Sequence, residues 1–214
     1  MDVTRIRALR GPNLWSRNLA IEAVVSCADS ERAMAQIEGF ETRLRALFPA
    51  IGALHPEGGD TDLSLAHVLQ TAALALQAQA GCPVTFARTT ATIDPGVYQV
   101  VVEYSEECVG RQAFADAQQL IEAALNHGHF DAEAAIAHLR ELDEDERLGP
   151  STGAIVEAAA ARGIPWRRLT QGSLVQFGWG SKQRRIQAAE IDATSAVAES
   201  IAQDKDLTKR LLHA

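Results

Sequence analysis

The 214-residue chain is poor in cysteine, has no long apolar run and carries fewer cations than anions. Each shortage excludes a class of protein. Cys27, Cys82 and Cys108 are odd in number and widely spaced, which supports neither a disulfide framework nor a CxxC metal knuckle, so they read as reduced thiols. No apolar stretch approaches the roughly 20 residues that span a bilayer. The opening MDVTRIRALRGPN places charges and a Gly-Pro where a secretory signal needs uninterrupted apolar residues. The reading is a cytoplasmic protein without a membrane partner. Lys and Arg number 20 against 28 Asp and Glu, a net charge of −8 that repels a phosphate backbone unless the cations are concentrated. A general nucleic-acid binder is therefore not expected. What the chain does have is apolar residues, 47% against 22% charged, enough for a core and too many for disorder.

Helix and strand signals alternate without an internal repeat, so the expected fold class is α+β. The arrangement is a small mixed sheet packed with helices, followed by a piece with a β-hairpin and terminal helices. Val3 to Leu9 alternates and stops at Gly11-Pro12, giving a first strand, and Trp15 follows as an expected core residue. Residues 30–48 form a helical window that Gly39 weakens and Pro49 stops. His55 to Asp60 is a loop by composition, after which Thr61 or Asp62 is expected to cap a helix running from near Leu63 to Gln79. Val84 to Arg88 and Val97 to Tyr104 form a hairpin-like pair around the Asp94-Pro95-Gly96 turn. The second of them, β-branched and apolar on both faces, is the predicted central strand. Helices at 111–126 and 131–142 follow, separated at Gly128, and another opens at Gly149-Pro150 and closes at Gly163-Ile164-Pro165. The texture then changes, which divides the chain into domains 1–160 and 161–214. In the second, Trp166 to Leu169, Ser173 to Phe177 and Lys182 to Ile186 read as short strands, and Thr194 to Leu212 as a helical tail. A piece this short cannot bury much surface alone, so it reads as the start of a larger domain.

Chemistry is sparse. His67 lies on a helix where His-x-x-Glu-His would set two imidazoles and a carboxylate around zinc, but Gln70 and Thr71 stand in the other two places. Glutamine is no base at neutral pH and threonine is a poor zinc ligand, so His67 reads as structural. His127, His129 and His138 read as surface residues. Glu141 to Glu146 is a solvated like-charge run. Gly149-Pro-Ser-Thr-Gly153 lacks the lysine of a phosphate loop and reads as Ser or Thr capping of a helix. The most informative stretch is Gly178 to Ile186. If it is extended, Lys182 and Arg184 share a face and, with Ser181 as a hydroxyl donor, would hold a carboxylate or phosphate. An exposed charged strand that resists edge aggregation is the other reading of the same spacing.

Longer stretches add a resemblance. Arg7 to Ser16 (RALRGPNLWS), Tyr98 to Tyr104 (YQVVVEY), Leu148 to Val156 (LGPSTGAIV), Gly172 to Gln187 (GSLVQFGWGSKQRRIQ) and Ser200 to Leu212 (SIAQDKDLTKRLL) closely resemble the N-terminal part of cyanophycin synthetases. The resemblance spans essentially the whole chain. It implies a cytoplasmic ATP-dependent ligase of three parts: an N-terminal domain, an ATP-grasp domain adding aspartate to a polymer backbone, and a Mur-ligase-like domain adding arginine to its side chains. Residues 1–160 would be the first domain and 161–214 the opening of the second. ATP and magnesium belong to the full-length parent, so no catalytic, cofactor or metal residue is assigned to this chain. The implied partners are the cyanophycin polymer, the remaining domains and further copies of the same chain. Substrate binding falls to Ser181, Lys182 and Arg184. Some relatives carry an intact His-x-x-Glu-His motif and cut the polymer to make primers. Here Gln70, Thr71 and Ala75 depart from it, so a metal-dependent cleaving domain is the weaker alternative, beside a noncatalytic polymer-binding or scaffolding remnant.

Overall fold

Alternation of side chains across Asp2–Leu9 (β1) leads into Ala20–Ser26 (β2), a strand the sequence did not announce because it carries Glu22 at its middle. The structure, a computed structural model, describes residues 1–54, 63–188 and 190–213. The expected loop from His55 and the expected cap at Thr61 or Asp62 lie outside the described residues. Of the helical window at 30–48, only Phe40–Leu47 (α1) is α-helix. Gly39, at φ +65°, takes a left-handed conformation immediately before it, and two single 3₁₀ turns at Asp29–Glu31 and Met34–Gln36 replace the earlier part. Leu65–Ala80 (α2) begins after Ser64 and ends at Gly81. Ala87–Ala91 (β3), which starts three residues later than the strand expected at Val84 to Arg88, and Val97–Glu103 (β4) then form a hairpin.

Every pairing is antiparallel, and the first sheet has the order β1-β2-β4-β3. β4 is central, as its composition predicted: Val100, Val101 and Val102 are all buried. One face of the sheet is covered by α2 and by Glu107–Leu125 (α3), with Ile21, Ala23, Val25, Val100 and Val102 meeting Leu69, Leu76, Phe114 and Ile121 in one core. Ala132–Glu146 (α4) follows, its first turn capped by Asp131, whose carboxylate accepts from the Ala134 N–H at 2.9 Å. Leu139 of α4 is fully buried. The acidic run at 141–146 thus forms the last turns of a helix, and Asp143 within it accepts from the Ser105 hydroxyl at 2.8 Å. Trp15, expected in the core, is half-buried and lies outside it.

By its internal contacts the chain divides into Met1–Arg147 and Leu148–Ala214. Pro150–Ala161 (α5) therefore belongs with the second unit, ahead of the expected boundary near residue 160. Its N-terminus uses Gly149 as the cap residue and Pro150 in its first turn, with no side-chain cap, so the expected Ser or Thr capping is absent. Trp166–Arg168 (β5), Leu174–Phe177 (β6), Arg184–Gln187 (β7) and Glu190–Ile191 (β8) form a second antiparallel sheet in sequential order. Val156 of α5 joins Val175 and Ile186 in its small core. The tail is two helices, Ala196–Gln203 (α6) and Lys205–Leu212 (α7), because the Asp204 carboxylate accepts from the N–H groups of Asp206 and Leu207 at 3.0 and 2.9 Å and starts a new helix. Among the described residues no helix is long and apolar enough to cross a membrane.

Candidate functional site

On α2, His67 is committed to local structure. The Ser64 backbone N–H points at its Nδ1 at 3.3 Å and the Ser64 hydroxyl lies 2.9 Å from the same atom. A backbone N–H can only donate, so Nδ1 is the acceptor and the ring proton sits on Nε2. Burial pushes the imidazole pKa down, which keeps it neutral, and the Tyr98 ring meets it edge-on at 5.7 Å. Thr71 donates its hydroxyl back to the His67 carbonyl at 3.0 Å. Among the described residues no three His, Cys, Asp or Glu side chains converge as a metal set.

A denser polar cluster lies on the face of the first sheet opposite α2 and α3. The register sets Arg7 opposite Glu22, Glu22 opposite Val101, and Val101 opposite Arg88. One step along, Arg5 faces Val24, and Val24 faces Gln99. Glu22 is only 3% exposed and accepts from Arg7, from the Trp15 indole N–H at 3.3 Å and from the Gln99 amide at 2.7 Å. Burial alone would raise its pKa, but those hydrogen bonds, with the Arg7 charge, outweigh it and hold the carboxyl below its ordinary value. Trp15 is thus recruited by a buried carboxylate, and its ring is covered by the Arg88 guanidinium at 6.0 Å. Arg5, Arg7, Glu22, Ala23, Val24 and Gln99 line a shallow depression that opens to solvent. With Glu22 already satisfied, the exposed cations here, Arg5, Arg7 and Arg88, give this face a positive character within an acidic chain. The sequence reading missed the cluster. The alternation of Arg5 and Arg7 in the first strand was the available signal, and it acquires meaning only when β2 is known to lie beside it.

In the second unit, Ser181 and Lys182 sit in a 3₁₀ turn, Gly180–Lys182, and Arg184 is the first residue of β7. The return strand therefore starts two residues later than expected, and side-chain alternation does not place Lys182 and Arg184 on one face. All three are exposed, and Arg184 donates to the Gln183 carbonyl at 2.9 Å. Arg184 pairs with Phe177, while Arg185 pairs with Gln176, which in turn pairs with Arg167.

Residues 22–126, which carry β2, α1 to α3 and the central hairpin, match the cyanophycin synthase-like N-terminal domain family. The matched span lies within the first unit. Over its whole length the chain is similar to the N-terminal quarter of cyanophycin synthetases. It is 35% identical to the cyanophycin synthetases of Trichormus variabilis and of a Nostoc species across 100% of this chain and 25% of theirs. The cyanophycin synthetase of Geminocystis herdmanii is 34% identical across 99% of this chain and 26% of its own length. The chain thus spans about a quarter of the relatives it matches.

Proposed function

We propose that this chain serves as the N-terminal part of an ATP-dependent ligase that makes cyanophycin, and that its own role is to hold the polymer and not to catalyse. The observation that carries this is the match to cyanophycin synthetases over the full chain, second unit included. ATP and magnesium are assigned to other parts of such a ligase. The Gly149 turn lacks the lysine of a phosphate loop, and among the described residues no three His, Cys, Asp or Glu side chains converge as a metal set. The polymer, an aspartate backbone carrying arginines, presents guanidinium groups and carboxylates together. An acidic chain attracts the guanidiniums at long range. The Arg5, Arg7 and Arg88 face supplies donors for carboxylates, and Ser181, Lys182 and Arg184 seat the free carboxylate end. Polymer cleavage is the weaker alternative, because Gln70 and Thr71 leave His67 without a second imidazole or a base.

Co-sedimentation of the purified chain with cyanophycin at rising salt tests the reading. Retention at low salt that falls as screening rises is expected. Arg5→Gln combined with Arg88→Gln should weaken it at least about tenfold, the equivalent of about one charge-assisted hydrogen bond. Lys182→Ala with Arg184→Ala should selectively weaken binding of a short aspartate peptide with a free carboxyl end. Release of phosphate from ATP by the chain in the presence of polymer, aspartate and magnesium would defeat the noncatalytic assignment.

A further inference from the structure

Two residues three apart close the first turn of α2. Ser64 is the cap residue and is fully buried, and His67 stands at the third helical position. In such a cap the third residue ordinarily reaches back with a carboxyl or amide oxygen to take the cap residue's backbone N–H. Here an imidazole takes it through Nδ1, which lies 3.3 Å from the Ser64 nitrogen and 2.9 Å from its hydroxyl. The turn is also a junction. The Met34 N–H donates to the Leu63 carbonyl at 2.6 Å, and the Thr89 hydroxyl donates to the Ala66 carbonyl at 3.4 Å, so the segment before α1 and strand β3 are both tied to it. Leu65, Ala66, Val68 and Leu69 carry the turn into the core.

An imidazole differs from a carboxylate or an amide in this place because its acceptor can be lost near neutral pH. A second proton on the ring goes to Nδ1 and turns it into a donor facing a donor. The Ser64 hydroxyl can rotate to accept from it, but the Ser64 backbone N–H cannot, and it is left buried without a partner. The charge gained stands half-buried at the positive end of the helix dipole. Among the described residues, the titratable group facing the ring is Tyr98 of β4, edge-on at 5.7 Å, which supplies a ring edge and no counter-charge. We infer that Ser64 and His67 form an acid-sensitive latch on the N-terminus of α2, closed while Nδ1 is an acceptor and released, first turn and junction together, when the ring takes up a second proton. Burial holds the folded pKa of the ring below its ordinary 6.5, so the open turn takes up the proton first. The contribution of the latch is therefore fully present above pH 6.5 and is lost as pH falls through the lower folded value. It uses none of the residues assigned above to polymer binding, so either reading can fail while the other stands.

Two-dimensional NMR of the nitrogen-labelled 214-residue chain reads both sides of the latch. At about pH 7.5 the His67 ring signals should show the proton on Nε2 and an accepting Nδ1. Between about pH 7 and 5 the hydrogen-exchange protection of the Ser64, His67 and Met34 amides should fall, by at most about tenfold per pH unit, the limit for one proton taken up on opening. The fall should track the titration of the ring itself. His67→Gln puts an amide acceptor in the same place, and should keep the protection found at neutral pH while abolishing the fall. His67→Ala, with no acceptor, should lower protection about fivefold already at neutral pH. His213→Gln, at an exposed histidine of the second unit, should leave the fall intact. A His67 ring with its proton on Nδ1, protection that stays level from about pH 7 to 5, or a fall that persists unchanged in His67→Gln would overturn the latch. The first two of these are read on the natural chain, so the test holds even where a variant fails to fold.

Discussion

Glu22 shows how a single residue organises a surface. A carboxylate at 3% exposure is tolerated because an arginine, an indole and an amide all donate to it. The same bonds bring Trp15 onto the open face of the sheet and away from the core. Because they hold the folded pKa below its unfolded value of about 4.3, the unfolded chain takes up the proton first as pH falls. The contribution of Glu22 to stability is therefore fully present above the unfolded pKa and is lost as pH falls through the lower folded one. Denaturant midpoints measured between about pH 6 and 3 should show a steeper acid decline for the natural chain than for Glu22→Gln. Parallel declines would mean that other carboxylates set the acid limb.

At the scale of elements, α3 approaches the sheet closely where it carries Gly110. A Cβ there would lie 2.6 Å from the Tyr104 Cβ and 3.2 Å from the Ile21 Cγ1, so helix and sheet would have to separate. Alanine normally favours a helix over glycine by about 1 kcal/mol. Overpacking at a buried contact costs about 1–3 kcal/mol and should win, so Gly110→Ala lowers the denaturant midpoint. Gly153→Ala on α5 is the contrasting case. Its added carbon meets only the Leu148 carbonyl oxygen at 3.6 Å, an ordinary contact, and its midpoint should hold or rise. Tyr104, the residue that Gly110 accommodates, is buried enough that its hydroxyl pKa is pushed up to about 12, with the Glu107 charge adding to the effect.

For the whole molecule, the two units differ sharply in what they bury. The first holds one continuous core running from Ile21 to Leu139, whereas among the described residues the second buries Val156, Val175 and Ile186, with Leu148, Trp166 and Phe177 partly buried against them. Apolar burial is the main force opposing chain entropy, so the second unit should open first. Hydrogen exchange is expected to be far slower at the β2 and β4 amides than at those of β6 and β7, although all four strands are hydrogen-bonded on both sides. Equal protection in the two sheets would show that the chain unfolds as one cooperative unit.

Local chemistry was enough for the sequence to specify most of the scaffold. The β-branched run at 97–103 became the central strand, Asp94-Pro95-Gly96 its turn, and the apolar stripes became α2, α3 and α4. The long family-like stretches likewise carried the relationship to cyanophycin synthetases without any coordinates. Other features were out of reach because they depend on neighbours distant in the chain. β2 was hidden by a glutamate whose partners are contributed by β1, β4 and the loop holding Trp15. Lys182 was expected on a strand, but a 3₁₀ turn lies there, and the turn changes which residues share a face. Strand register, which only the folded chain fixes, set Arg185 and not Arg184 in line with Gln176 and Arg167. Side chains alternate with a period of two, so a start displaced by one or two residues decides which cations meet, and pairing between strands sets that start.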